Sequence, residues 1–281
     1  MSVSISRRSF LASCGLGIAA GLAGCSAQGG GPAGGTSFSA SGAGYALVEP
    51  GKLTMISNFY FPPFVSMNAS TGDYEGFDVD LYKAICERLG LGLESNILPT
   101  VQFDTIVPTI KQGGKADVSL GAVTITDERL QEIDFSDPYL DSNQAIVIRR
   151  DSAATTADAL NVAGTQIAVQ SGTTGEAWTR ENLPNATVVP LDDIIQCLTG
   201  VQTGLYAASV CDLPVASYEI SGAYSDLVIP EGGQIPTGEQ YGIVVSKDNP
   251  KLTQAINDAL AELQSDGTQD QIEQKWFGST I

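Results

Sequence analysis

Between residues 50 and 280 the sequence alternates short apolar runs with amphipathic helical stretches, and this alternation limits the folds open to the chain. Runs that predict strands lie at 52–57, 116–123, 144–150, 165–172, 207–212 and 241–246. Patterns that predict helices lie at 77–89, from Thr174 onward, at 192–201, at 252–263 and in a last short stretch that ends at 275–278. Strands separated by helices are typical of parallel sheets with covered faces, so we predict an α/β protein. Ligands of such sheets collect in the loops beyond the carboxyl ends of the strands.

Length, charge and missing residue types narrow the possible functions. At 281 residues the chain is long enough for more than one lobe. Its formal net charge of −18 disfavours nucleic acids and anionic lipids as partners and suits small zwitterions or cations. The chain has no histidine, which excludes Ser-His-Asp catalysis and most zinc sites. The five cysteines show no CxxC spacing, and we expect no metal and no cofactor.

The N-terminus predicts export and a lipid anchor. Residues 6–11 (SRRSFL) resemble a twin-arginine export signal, and the apolar stretch that follows is too short and too rich in Gly and Ala for a permanent membrane span. Residues 22–25 (LAGC) resemble a lipobox, so we expect residues 1–24 to be removed and Cys25 to be lipidated at the outer face of the bacterial membrane. The alternative is an ordinary cleaved signal. Residues 25–44 are rich in Gly, Ser and Ala and predict a flexible tether.

An arginine in an acidic run is the first candidate for a site residue. Thr126 is a good N-cap after the strand predicted at 116–123, and Arg129 follows in the first turn, where the helix dipole disfavours a cation. One interpretation is that Arg129 binds a ligand together with Thr124. The other is an exposed ion pair with Glu128 or Glu132, worth under about 1 kcal/mol, and spacing alone favours this pair.

Two further junctions carry polar groups where a strand meets a helix. Residues 170–174 (QSGTT) join a strand, a glycine and a helix start, so that backbone N–H groups converge there and favour a carboxylate. The alternative is simple N-capping by Thr173. Asp212 ends another predicted strand shortly before Pro214, and its alternative is also an N-cap.

Taken together, the three junctions have the chemistry that a free amino acid requires. An α-carboxylate binds best to a bidentate guanidinium and to backbone N–H donors, and an α-ammonium binds to a carboxylate and hydroxyl groups. We therefore predict a cleft that binds a small zwitterion.

Six motifs occur in the order found in family 3 solute-binding proteins, the extracytoplasmic amino-acid receptors of ABC importers, which the chain resembles over residues 50–278. These motifs are FPPF (61–64), GFDVDL (76–81), ITDERLQEIDFSDPY (125–139), SGTTGE (171–176), CDLPVASY (211–218) and SDGTQDQIEQKWFG (265–278). The resemblance implies a two-lobe periplasmic-binding-protein-like fold of type II, with a ligand cleft between lobes joined by two hinge crossings. Carried over, lobe 1 comprises residues 45–141 and 241–281, and lobe 2 comprises residues 142–240.

The resemblance also implies a role for each residue at the junctions. Arg129 matches the arginine that grips the ligand carboxylate, and Thr124 and the backbone around Ala122 match groups that hold the ammonium and the carboxylate. Thr174 matches a carboxylate contact on lobe 2, and Asp212 matches the aspartate that takes the ammonium.

Four more positions concern the side chain of the ligand. Phe61 and Phe103 match aromatic residues that sandwich it, with core packing as their alternative. Asn58 stands where several relatives carry an acid, and Gln170 stands where some carry a lysine. Because both pocket positions are neutral amides here, we expect a neutral, polar ligand.

The resemblance implies a monomeric binding protein that captures a free L-amino acid and delivers it to the membrane permease of an ABC importer, without chemistry of its own. An enzyme is the runner-up, because a few members of the family dehydrate small carboxylates in the same cleft. That chemistry needs a cleft carboxylate as general acid, and Asp212, the one that the motifs place there, is expected to be committed to the ammonium. A sensory module is a third reading, and no attached signalling domain supports it.

Three cysteines fall in the predicted folded part. We expect Cys86 to pack in the core. For Cys197 and Cys211 a disulfide is conceivable in an exported protein, but buried free thiols are favoured.

Overall fold

A computed structural model describes residues 44–91 and 96–278 of the chain and the backbone of residues 39–40. The predicted export signal at 1–24, the lipidation site Cys25 and most of the predicted tether lie outside the described residues. A two-residue strand, Ser39–Ala40, falls within the predicted tether and pairs antiparallel with Ala46–Leu47. Among the described residues, no helix combines the length and the apolar character that a bilayer crossing requires.

A five-stranded sheet forms the first lobe. Its strands, in spatial order, are Asn96–Ile97, Thr54–Ile56, Val118–Ser119, Val244–Val245 and Asp134–Phe135. The first three strands run parallel, and Val244–Val245 is antiparallel to both of its neighbours. A small antiparallel sheet lies in the same part of the chain and consists of Tyr60–Phe61, Val65–Met67 and Tyr74–Glu75.

The helices of the first lobe bury the apolar stripes seen in the sequence. In Phe77–Arg88 the side chains of Phe77, Leu81 and Ile85 are buried, as the spacing at 77–89 predicts. The stripe predicted at 252–263 is buried in the helix Pro250–Ser265. Further helices of this lobe span Phe103–Thr105 (3₁₀), Ile106–Gln112, Asp127–Glu132 and Thr268–Phe277.

The second lobe contains a six-stranded sheet. Along it lie Thr187–Leu191, Gln166–Gln170, Ala208–Asp212, Leu140–Arg149 and Leu227–Val228, and Gln234–Tyr241 also pairs with Leu140–Arg149. The first three strands are parallel, whereas Leu140–Arg149 is antiparallel to each of its partners. The helices of this lobe are Ala157–Leu160, Thr174–Asn182, Ile194–Gln202 and Leu213–Ser221.

The predicted parallel strands occur in both lobes, but each lobe has a mixed sheet rather than a parallel one. The reason is the way in which the chain passes between the lobes. It enters the second lobe along Leu140–Arg149 and returns along Gln234–Tyr241, and these two strands pair antiparallel. Their register shifts between Ser142 and Gln144, which bends the strands at the crossing.

The predicted N-caps and cysteine states are confirmed. The Oγ1 atoms of Thr126 and Thr173 accept hydrogen bonds from the backbone N–H groups three residues later. Cys86, Cys197 and Cys211 are buried free thiols, and Cys86 belongs to the core.

Candidate functional site

Arg129 turns toward the second lobe rather than toward its acidic neighbours. Its Nη1 donates a hydrogen bond to the carbonyl oxygen of Thr124 (2.7 Å), and its Nη2 donates one to the carbonyl oxygen of Gly172 on the other lobe (3.0 Å). Glu132 forms its ion pair with Lys111 instead. The interpretation of Arg129 as a surface ion-pair partner of Glu132 therefore does not describe this structure.

An aromatic ring and three carboxylates act on the guanidinium. The Cζ atom of Arg129 lies 5.3 Å from the centre of the Phe103 ring, within the range of a cation–π contact. Burial lowers the pKa of Arg129, and the charges of Asp212, Glu239 and Glu128 oppose that shift. The guanidinium keeps its proton, since arginine is not deprotonated in proteins.

Asp212 faces the cleft from the end of the strand Ala208–Asp212. Asp212 occupies the N-cap position of the helix Leu213–Ser221, as its alternative proposed, but its side chain makes no capping hydrogen bond to that helix. The carboxylate accepts hydrogen bonds from Gln144 Nε2 (2.7 Å) and from the Tyr241 hydroxyl (2.5 Å). Burial raises the pKa of Asp212 to about 6, and the charge of Glu239 adds to the rise, while the two hydrogen bonds and Arg129 oppose it.

The loop after the strand Gln166–Gln170 follows the prediction in part. Thr173 caps the helix, as its simpler alternative proposed, whereas the Thr174 hydroxyl donates to a Glu239 oxygen and accepts from Gln144 Nε2, each at 3.1 Å. The N–H of Gly172 donates to the Glu176 carboxylate (2.8 Å). That amide is therefore engaged inside the protein and is not one of the free N–H groups predicted for this loop.

Gly172 also lies against Asp104 of the other lobe. Its φ angle of +75° favours glycine, and a Cβ atom built there would lie 2.8 Å from the Cβ of Asp104. A side chain at position 172 would thus separate the two lobes at this contact.

Ala122 has a left-handed backbone, with φ of +53°, which is unusual for a residue with a side chain. Its N–H donates to Asp78 Oδ2 (2.8 Å), and the same oxygen accepts the hydroxyl of Tyr139 (2.9 Å). Asp78 is fully buried, and burial raises its pKa to about 7 against the effect of these hydrogen bonds. The buried carboxylate therefore holds the turn that leads from the strand Val118–Ser119 to Thr124.

Asn58 and Gln170 contact each other across the lobes. Gln170 Nε2 donates to Asn58 Oδ1 (3.2 Å), and Asn58 Nδ2 donates to the carbonyl oxygen of Val101 (2.8 Å). Both side chains are buried, and the Oε1 atom of Gln170 has no hydrogen-bond partner among the described residues.

The other predicted site residues meet at a small cavity of about 10 Å³ between the lobes. It is lined by Phe61, Phe103, Ala122, Thr124, Arg129, Thr173, Thr174 and Asp212. This volume is at the lower limit for a single water molecule, so an amino acid enters the cavity only if its walls move apart. Phe61 also packs in the core, as its alternative interpretation proposed.

Sequence reasoning missed two polar residues beside this cavity. Glu239 accepts hydrogen bonds from Gln144 Nε2 (2.9 Å) and Thr174 Oγ1 (3.1 Å), and a weaker one from Thr124 Oγ1 (3.4 Å). Gln144 is fully buried and joins Glu239 to Asp212. The signal for Glu239 was its position two residues before the buried Tyr241 on one strand, which puts both side chains on the same face.

Comparison with known proteins identifies the family. The model of the bacterial extracellular solute-binding proteins, family 3, matches residues 53–279. The chain therefore belongs to this family, and its fold is the two-lobe, type II periplasmic-binding-protein fold.

Individual relatives agree with that assignment. The chain is 29% identical over 245 residues to the L-cystine-binding protein TcyJ of Escherichia coli K12, covering 87% of this chain and 90% of TcyJ. It is 31% identical over 211 residues to the ABC transporter glutamine-binding protein GlnH of Bacillus subtilis, covering 75% of each chain. A crystal structure of the P235GK mutant of ArgBP from T. maritima superposes with a TM-score of 0.74 at 36% identity, covering 82% of this chain and 96% of ArgBP. Both curated relatives carry the names of binding proteins.

Proposed function

We propose that this chain captures a free L-amino acid in the cleft between its lobes and delivers it to the permease of an ABC importer. The observation that carries the proposal is the arrangement of one cation and one acid on opposite lobes around a single cavity, Arg129 on the first and Asp212 on the second. Membership of family 3 and the amino-acid-binding names of the relatives support the same conclusion.

The geometry matches the two charged ends of a zwitterion. Arg129 offers a guanidinium for the carboxylate, with the Thr174 hydroxyl on the facing wall, and Asp212 offers an acceptor for the ammonium. Charge-assisted hydrogen bonds contribute roughly 1.5–3 kcal/mol each, so three or four of them, less the cost of ordering, correspond to a dissociation constant on the order of 1 µM.

The ligand side chain is proposed to be neutral and polar. Asn58 and Gln170 present amide groups, and neither supplies a charge that a cationic or anionic side chain would need. The Oε1 atom of Gln170 has no hydrogen-bond donor among the described residues. A polar side chain of the ligand would supply that donor.

The N-terminal sequence supports a proposal about location. The LAGC sequence at 22–25 favours lipidation of Cys25, which would hold a monomeric receptor at the outer face of the cell membrane, beside its permease. Labelling cells with a radioactive fatty acid tests this, since replacing Cys25 by Ser should remove the label from the protein and a retained label would contradict the anchor.

Thermal-shift measurements test the amino-acid proposal. We expect the melting temperature of the wild type to rise with at least one of the twenty amino acids or L-cystine, and Arg129→Ala to abolish this rise because the ligand carboxylate loses its counter-charge. Arg150→Ala is the matched control, because Arg150 donates to the Ser225 carbonyl oxygen and has no part in the cavity. An equal response of the wild type and Arg129→Ala to every amino acid would refute the site assignment.

A further inference from the structure

Glu239 lies beside the proposed ligand cavity, on the strand Gln234–Tyr241 that returns the chain to the first lobe. Its carboxylate lies within hydrogen-bond distance of the hydroxyls of Thr124 and Thr174, both of which line the cavity. Since one hydroxyl belongs to each lobe, the carboxylate contacts both walls of the cleft at once.

Glu239 and Asp212 converge on one point. The single nitrogen Nε2 of Gln144 donates to Asp212 Oδ1 at 2.7 Å and to Glu239 Oε2 at 2.9 Å. The distance between Asp212 Oδ1 and Glu239 Oε2 therefore cannot exceed the sum of these two distances. A nitrogen atom of a ligand placed between the two oxygens would reach both of them with ordinary hydrogen bonds. The Oε1 atom of Gln144 is buried beside them and has no partner among the described residues.

The charges at this point do not balance. Arg129 is the cation that acts on both carboxylates, so one positive charge faces two negative ones. Like charges held this close disfavour their joint ionisation, and the charge of Glu239 contributes to the raised pKa of Asp212. A group that brings a positive charge and several N–H donors to the gap between the carboxylates removes this imbalance.

We propose that Glu239 is a specificity-determining residue which, together with Asp212, forms a two-carboxylate site for the α-ammonium group of the ligand. The proposal rests on the proposed function of the cleft. The incoming ligand carboxylate takes the hydroxyl of Thr174, which frees Glu239 to accept from the ammonium. An ammonium has three N–H donors, and the two carboxylates satisfy two of them.

This arrangement defines the class of ligand by its backbone. A primary α-ammonium satisfies both carboxylates, whereas an α-hydroxy acid or an N-acylated amino acid leaves the buried Asp212 and the half-buried Glu239 without a cation between them, and such unpaired groups are costly. Because the α-ammonium is common to all amino acids, Glu239 acts on every one of them to a similar extent. A residue that contacts the ligand side chain would instead change the order of preference among amino acids.

Binding of Glu239→Gln distinguishes these roles. The isosteric amide keeps the shape of the side chain and removes its charge. Dissociation constants of the wild type and Glu239→Gln are measured by calorimetry for the twenty amino acids and L-cystine. We expect the variant to weaken every amino acid that binds by a common factor of about ten or more, with the order of preference unchanged. Where a single amino acid binds, its des-amino analogue, such as glutaramate for L-glutamine, should bind Glu239→Gln at least as tightly as the wild type, because it has no ammonium contact to lose and the variant leaves one unpaired carboxylate fewer.

Two control variants keep the result interpretable. Glu231→Gln removes an exposed acid of the same lobe and should bind as the wild type does. Glu239→Asp keeps the charge and should recover part of the loss even if Glu239→Gln shifts the thermal stability. Unchanged affinities in Glu239→Gln, or losses confined to some of the amino acids that bind, would overturn the role of Glu239 and leave the proposed function standing. A wild type that binds no amino acid would overturn both.

Discussion

Replacing Asp78 by Asn should flatten the loss of stability of the folded chain between about pH 4 and pH 8. Asp78 is fully buried and holds the left-handed turn at Ala122 through its carboxylate. Burial raises its pKa from 3.8 to about 7. The folded chain therefore keeps a proton on Asp78 over a pH range in which the unfolded chain has released it.

The sign and the size of the effect follow from this difference. A carboxyl group whose pKa is raised by folding contributes its full stability below its unfolded pKa, near 3.8, and loses that contribution as the pH rises toward about 7. A shift of roughly 3 pKa units at 1.36 kcal/mol per unit corresponds to a loss of about 4 kcal/mol. This is a large part of the 5–15 kcal/mol that typically stabilises a folded domain.

Urea unfolding at a series of pH values measures the effect. The free energy of unfolding of the wild type should fall with rising pH more steeply than that of Asp78→Asn, by a total on the order of 4 kcal/mol. Asp212 and Glu219, whose pKa values burial raises to about 6 and about 7, keep part of the slope in both proteins. Asp226→Asn, at an exposed position, should retain the slope of the wild type. Parallel curves for the wild type and Asp78→Asn would refute the reasoning.

Two further outcomes are expected. Gly172→Ala should weaken amino-acid binding by about tenfold or more, because its Cβ meets Asp104 as the lobes close. The control Gly232→Ala, at a similar φ of +76° in open space, should bind as the wild type does. Equal affinities of Gly172→Ala and the wild type in titration calorimetry would contradict the role of the contact. Cys197 and Cys211 should resist alkylation at pH 8 in the folded chain and react in urea. The reason is that burial raises the pKa of Cys197 to about 12 and that of Cys211 well above its usual value. Peptide mapping that finds either residue labelled without urea would contradict their burial.

Local rules explain which parts of the fold the sequence could predict. The stripe at 252–263 is apolar at helical spacing and is buried. Thr126 and Thr173 cap helices because their hydroxyls reach N–H groups three residues on, a contact that depends on neighbours alone. Arg129 could be singled out because it sits where a helix dipole disfavours it.

Contacts between distant segments explain what the sequence could not show. The run 116–123 reads as an eight-residue strand, but only Val118–Ser119 pairs, because Gly121 and Ala122 adopt positive φ angles and turn the chain into the cleft. That turn depends on a carboxylate more than forty residues away, at Asp78.

The acidic side of the cleft depends on tertiary structure in the same way. Glu239 becomes a site residue only because its strand pairs with Leu140–Arg149 beside Asp212. The amides of Asn58 and Gln170 read as two independent pocket positions, yet they hydrogen-bond to each other across the lobes.

A crystal structure of the chain with the amino acid that gives the largest thermal shift tests the amino-acid cleft most directly. The account predicts that the ligand occupies the cavity between the lobes, with its carboxylate within about 3 Å of the Arg129 guanidinium and its ammonium as close to Asp212. A ligand bound outside this cavity, or one whose carboxylate does not contact Arg129, would contradict it.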